Sequence, residues 1–178
     1  TIIGLIAAGS AAAQTTLTGS SWVPPTHPLT KDMLVVWGQN LEKASAGRIK
    51  FNVLPKSVTA APGTFDAVRD GLVDVSYTVH GYTPGRFVLT KMAEMPFLGD
   101  SATTISIAYN RIFEREIAKF GEHKGVKVLG VFTHGPGQMY TVKKPINTLA
   151  DLQGTKIRVG GGIVNDVTNA MGAVSLLK

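Results

Sequence analysis

The chain has 178 residues, 44% hydrophobic and 17% charged, enough for one ordinary domain or one plus a fragment. It holds no cysteine, which excludes disulfides, thiolate metal ligands and cysteine nucleophiles, and no apolar run reaches the roughly eighteen residues that a membrane-spanning helix needs. The formal net charge of +6 is spread along the sequence, not gathered into a basic cluster with interleaved aromatics, so nucleic acid is not an expected partner.

Residues 1–13, TIIGLIAAGSAAA, carry no charge and run from an apolar stretch into Ala11-Ala12-Ala13. That is the back end of a secretory signal peptide cut before Gln14, lacking its initiator methionine and basic start, and it predicts an exported, periplasmic protein. A buried first helix is the alternative, but Gly4, Gly9 and Ser10 punctuate the run.

Residues 15–23 read as a first strand, ended by Pro24-Pro25. Leu29, Met33, Val36, Trp37, Leu41 and Ala44 then recur at helical spacing until Gly47. Residues 48–54 alternate, with Ile49, Phe51 and Val53 on one side. A short helix is expected over 64–71, and a strand over 73–79, where Val73, Val75, Tyr77 and Val79 alternate with Asp74, Ser76 and Thr78. The loop HGYTPGRF (80–87) and a strand candidate at 91–98 follow. Ser101 suits the N-cap of a long helix with core face Ile105, Ala108, Ile112, Phe113, Ile117 and Phe120, and 126–132 is a further strand.

After Gly135-Pro136-Gly137 the pattern restarts: strand 138–143, short helix 147–153, strand 155–159, helix 163–171, and a strand opening at Ala173. This order predicts an α/β fold with mostly parallel sheets, a first unit over 14–132 and a second over 133–178 that stops early, so a C-terminal part of the natural protein is expected beyond it. Such sheets place ligands beyond the carboxyl ends of their strands.

The most informative stretch is 130–172, centred on Lys156-Ile157-Arg158-Val159. A guanidinium on a short strand is shaped to hold a carboxylate through two parallel hydrogen bonds. Gly160-Gly161-Gly162 lets the backbone approach a ligand, and the helix start behind it offers free N–H groups. An isolated surface arginine would instead pair with a carboxylate such as Asp151 or Asp166. The glycine run is no dinucleotide cradle, since Asn165 stands where G-x-G-x-x-G needs its third glycine. Around this centre His80 and Tyr82 end a strand at the expected ligand edge, Arg86 offers a second cation, and Trp22 and His27 sit on the first strand–helix loop.

Chemistry finds no footing in the remaining residues. His27, His80, His123 and His134 make no pair at metal-ligand spacing, and no G-x-S-x-G elbow is present. Glu94 could hold a ligand hydroxyl but has no partner carboxylate for acid–base work. No cofactor site and no catalytic residue is expected.

From Gln14 to Lys178 the chain resembles the extracytoplasmic solute-binding subunits of tripartite ATP-independent periplasmic (TRAP) transporters, of the DctP type. The resemblance is carried by Trp22-Val23-Pro24 with His27-Pro28, by Ala67-Val68-Arg69-Asp70-Gly71 with Asp74, and by Gly81-Tyr82-Thr83-Pro84-Gly85-Arg86-Phe87. Pro96-Phe97-Leu98-Gly99 and Leu149-Ala150-Asp151-Leu152-Gln153-Gly154-Thr155-Lys156-Ile157-Arg158-Val159 complete the ordered set.

The resemblance implies two α/β lobes closing on an organic acid about a hinge near 132–135, with Arg158 as the carboxylate clamp. Backbone N–H groups over 161–163 and the side chain of Asn165 would assist it. It also implies delivery to a membrane permease driven by an ion gradient, with no catalysis. Many members carry a further arginine where His134-Gly135-Pro136-Gly137-Gln138 has glycine, a departure that argues against a sialic-acid-like or strictly dicarboxylate ligand. The alternatives are the solute receptor of an ABC importer, and a secreted α/β enzyme whose catalytic groups lie beyond Lys178.

Overall fold

The computed structural model describes residues 14–142 and 144–177. The expected signal peptide, 1–13, lies outside the described residues. By packing, the chain divides into two compact units at Tyr77/Thr78.

The first unit is a strand–helix–strand crossover. Strand β1 (Thr15–Gly19) pairs in parallel with β2 (Ile49–Val53), in register from Thr15 opposite Ile49 to Gly19 opposite Val53. Parallel neighbours need such a crossover, and here it is a π-helical turn (Leu29–Leu34) continuing into α1 (Val35–Ala44). The Trp37 ring meets Phe51 edge-on, centroids 5.2 Å apart, which seals α1 onto β2. Helix α2 (Thr64–Arg69) buries Phe65 and Ala67, and Val73 and Leu34 are also buried.

The strand expected over 73–79 shrinks to one parallel bridge, Gly19 to Val75. Backbone bonds join Val75 to Thr18 and Ser20, and side chains of the segment take the neighbouring backbone groups of the first strand. The Asp74 carboxylate accepts from the Thr18 N–H at 2.7 Å, and the Ser76 hydroxyl donates to the Ser20 carbonyl at 2.6 Å. The first of these bonds is the main cause that holds the Asp74 carboxyl below its usual range.

In the second unit, α3 (Ala102–Ile112) begins at Ser101, whose hydroxyl accepts from the Thr104 N–H at 3.3 Å, as the sequence predicts. It runs on through tighter and looser turns to Phe120. Tyr109, Phe113, Ile117 and Val131 form its buried core, each contributing on the order of 1.5–3 kcal/mol by burial.

The strand expected over 126–132 forms no ladder among the described residues. Asn110 accepts from the Val131 N–H at 3.0 Å and Ser106 from the Thr133 N–H at 2.9 Å, so α3 side chains take those backbone groups. The strand candidate at 91–98 is instead a 3-10 helix, Leu89–Glu94. Its entry is set by Glu122, whose Oε1 accepts from the Val88 and Leu89 N–H groups at 2.7 and 2.8 Å. Residues 138–142 form no ladder among the described residues.

Helix α4 (Leu149–Leu152) opens with a capping box between Thr148 and Asp151. Strand β3 (Lys156–Val159), α5 (Gly162–Ala170) and β4 (Val174–Leu177) form a second crossover, with Arg158 opposite Leu176 in a parallel pair. The α/β class with parallel strands is therefore as predicted.

Candidate functional site

Strand β3 alternates: Val159 is buried, while Lys156 and Arg158 are exposed. The period of two thus places the Arg158 guanidinium outside the unit's core, close to the strand's carboxyl end. Its Nη2 donates to the Tyr82 hydroxyl at 3.4 Å, so the segment holding Tyr82 and the strand holding Arg158 meet although 76 residues separate them in sequence. Asp151 sits 2.9 Å from Lys144 Nζ and accepts from Thr148, and those bonds, the lysine first, hold its carboxyl well below the usual carboxylate range.

The chain can pass from β3 into α5 this tightly only because it is glycine there. Gly161 has φ +85° and ψ −161°, a combination that side-chain-bearing residues avoid. Gly81 lies directly against this turn; a Cβ on it would fall 2.8 Å from the Gly160 carbonyl oxygen. The short 3-10 helix His80–Tyr82 is thereby seated on the entrance to α5.

Beside this contact lies a cavity of about 140 Å³, wide enough for water, lined among others by His80, Phe87, Lys91, Glu94, Asn165 and Asp166. Gly81, Gly161 and Gly162 border it too. The Glu94 carboxylate sits at the start of α5, where its Oε2 accepts from the Ile163 N–H at 3.0 Å. The backbone donor expected to support a ligand carboxylate at residue 163 is therefore already taken by a side chain of the protein. Asn165 is likewise engaged: its Oδ1 accepts from the Ser175 hydroxyl at 2.6 Å and its Nδ2 donates to Asp166 at 3.2 Å.

His80 is the most perturbed titratable group on this wall. Its ring stacks on Phe87, centroids 4.2 Å apart, and its Nε2 shares a proton-mediated contact of 3.0 Å with His123 Nε2. Burial above all, then the neighbouring His123, lowers its pKa to about 4 against the pull of Glu122. His123 is also lowered, mainly by burial. Both rings are thus neutral near pH 7, one donating to the other.

The residues expected at the site divide as follows. Arg158 and Tyr82 meet, and His80, Gly161, Gly162 and Asn165 border one cavity. Arg86 closes the turn after Tyr82 through its N–H, 3.2 Å from the Thr83 carbonyl. Trp22 belongs to the other compact unit, its ring 4.4 Å from that of Tyr77. From the sequence Glu94 reads only as a hydroxyl acceptor, and Glu122 and His123, behind the wall, carry no local spacing signal that marks them. Among the described residues no group of three potential metal ligands converges, and no helix is long and apolar enough to cross a membrane.

A TRAP periplasmic solute-binding protein from Bordetella bronchiseptica, solved with (R)- and (S)-mandelate, is 52% identical with a TM-score of 0.89 over 92% of this chain and 52% of that one. A TRAP solute-binding protein from Rhodoferax ferrireducens, solved with copurified benzoate, is 32% identical with a TM-score of 0.85 over 93% of this chain and 51% of that one. The two-lobed α/β class inferred from the sequence is the class of these proteins. Among curated proteins, the outer membrane transporter protein TsaT of Comamonas testosteroni is 30% identical over 97% of this chain and 51% of its own length. The chain thus spans about half the length of the relatives it matches. The profile of the bacterial extracellular solute-binding protein family 7, DctP, matches residues 19–175, and the chain belongs to that family.

Proposed function

We propose that this chain is part of the extracytoplasmic receptor of a TRAP transporter, a binding protein and not an enzyme, which captures an organic acid in the periplasm and hands it to a membrane permease. The observation that carries this reading is Arg158, exposed near the carboxyl end of β3 with the Tyr82 hydroxyl 3.4 Å from its guanidinium. A carboxylate taken there receives a charge-assisted fork from Arg158 and one further hydrogen bond from Tyr82. Closure over the ligand excludes water and strengthens the ion pair. The lobe boundary near Thr133, with a hinge at 132–135, belongs to the same reading.

An aromatic acid is the ligand class best supported. The relatives above were solved with mandelate and benzoate. The His80 ring, held against the buried Phe87, borders the cavity here and gives such a ligand a ring to pack on.

The test is calorimetric titration of the full-length protein with benzoate and mandelate. The wild type binds at least one of them, and Arg158→Ala weakens that binding by about a hundredfold or more while the thermal midpoint stays put. Arg158→Lys keeps the charge but loses the fork, and falls between the two. Unchanged affinity in Arg158→Ala overturns the clamp.

A further inference from the structure

The start of α5 is where a helix offers unpaired N–H groups and the positive end of its dipole. In this protein the position is already held by the Glu94 carboxylate, which accepts from the Ile163 N–H at 3.0 Å. The fit is built on both sides. A Cβ at Gly162 would collide with Glu94 Oε2, and Gly162 has φ +61°, a backbone conformation that disfavours any other residue. Glu94 reaches the position from the 3-10 helix Leu89–Glu94, whose entry is anchored by Glu122. Glu94 also lines the cavity next to the Gly81–Gly161 contact, in company with Lys91 and Asp166. One lysine thus faces two carboxylates, and His80 on the same wall is neutral near pH 7 because burial lowers its pKa to about 4.

We infer that Glu94 is a specificity-determining residue that restricts the ligand to acids with a single carboxylate. The inference rests on the reading of Arg158 as the clamp. Arg158 takes the one carboxylate, while the helix N-terminus that would hold a second is filled by a negative charge of the protein itself. A second ligand carboxylate entering the cavity meets repulsion from Glu94 and Asp166 and finds the Ile163 N–H occupied. A hydroxyl or amide at the same place can donate to Glu94 instead. Like-charge repulsion in a partly desolvated cavity is strong enough to separate matched ligands by about tenfold or more.

The experiment uses ligands of one shape and two charges. Full-length protein is titrated with benzoate, then with isophthalate and with its mono-amide, 3-carbamoylbenzoate; the same titrations are repeated on Glu94→Gln. The glutamine carbonyl can still accept from Ile163, so the variant removes charge with little change of shape. In the wild type the mono-amide binds at least about tenfold tighter than isophthalate, and in Glu94→Gln that ratio shrinks by about fivefold or more. A ratio that does not shrink overturns the inference and leaves the clamp standing. If benzoate binds but neither larger acid does, the far end of the ligand does not lie beside Glu94, and the inference again falls alone. If no acid binds, including mandelate, the receptor reading fails and takes the inference with it. Should Glu94→Gln not fold, the wild-type pair decides: a preference below about tenfold for the mono-amide overturns the proposal, and a larger one supports it.

Discussion

Gly81 and Gly161 meet backbone to backbone: a Cβ on Gly161 would collide with the Gly81 carbonyl oxygen, and one on Gly81 would fall 2.8 Å from the carbonyl oxygen of Gly160. This contact seats the segment holding His80 and Tyr82 against the turn between β3 and α5. It is the reason Tyr82 comes within hydrogen-bonding distance of Arg158.

Gly161→Ala is therefore expected to cost stability and ligand affinity together. Its φ of +85° with ψ of −161° lies in a region that costs a residue with a side chain about 1–3 kcal/mol, before the collision with Gly81 is counted. A urea titration of variant and wild type measures the first effect and calorimetry the second. Unchanged stability would mean that the two backbones are not in contact.

Stability is expected to fall as the medium is acidified through the range set by His80. Its pKa drops from 6.5 to about 4 on folding, because burial and the neighbouring His123 outweigh Glu122. Between those values the unfolded chain binds more protons than the folded one, so stability is full above about pH 6.5 and declines toward pH 4. The decline attributable to His80 approaches about 3 kcal/mol. Thermal midpoints of wild type and His80→Gln at a series of pH values check it, and the variant should show a shallower slope over that window.

Glu122→Ala should destabilise the second unit by about 1–2 kcal/mol, since it strands the N–H groups of Val88 and Leu89 that Oε1 now accepts from at 2.7 and 2.8 Å. Glu122→Gln keeps an acceptor oxygen there and costs less. Equal losses in the two variants, measured by denaturant unfolding, would show that the charge and not the double acceptor matters.

Some of this was legible in the residues because it depends on local spacing. Period-two alternation marks β2, helical spacing marks α1 and α3, Ser101 marks an N-cap, and Lys156-Ile157-Arg158-Val159 before three glycines marks a strand entering a helix; of the core face expected for α3, Phe113 and Ile117 are buried, while Ala108 and Phe120 are exposed and Tyr109 takes a core place instead. Those signals need only near neighbours. Strands are also expected over 73–79, from alternation, and over 126–132; the first keeps only the bridge at Val75, and the second forms no ladder among the described residues. A sequence pattern tells which face a residue takes but not which group will bond which backbone: Asp74 and Ser76 spend their side chains on the backbone of β1, and Asn110 and Ser106 of α3 accept from the Val131 and Thr133 N–H groups.

The amino-acid sequence by itself determined the α/β class, helix starts such as that at Ser101, and the strand that carries Arg158 into a glycine turn, because these follow from periodicity and capping chemistry. Only the tertiary structure decided that Tyr82 meets Arg158, that Gly81 fits against Gly161, and that Glu94 fills the start of α5. Those relationships join residues tens of positions apart, and no local pattern specifies them. Steric fit and the need to pair every buried N–H settle such contacts once the chain has packed.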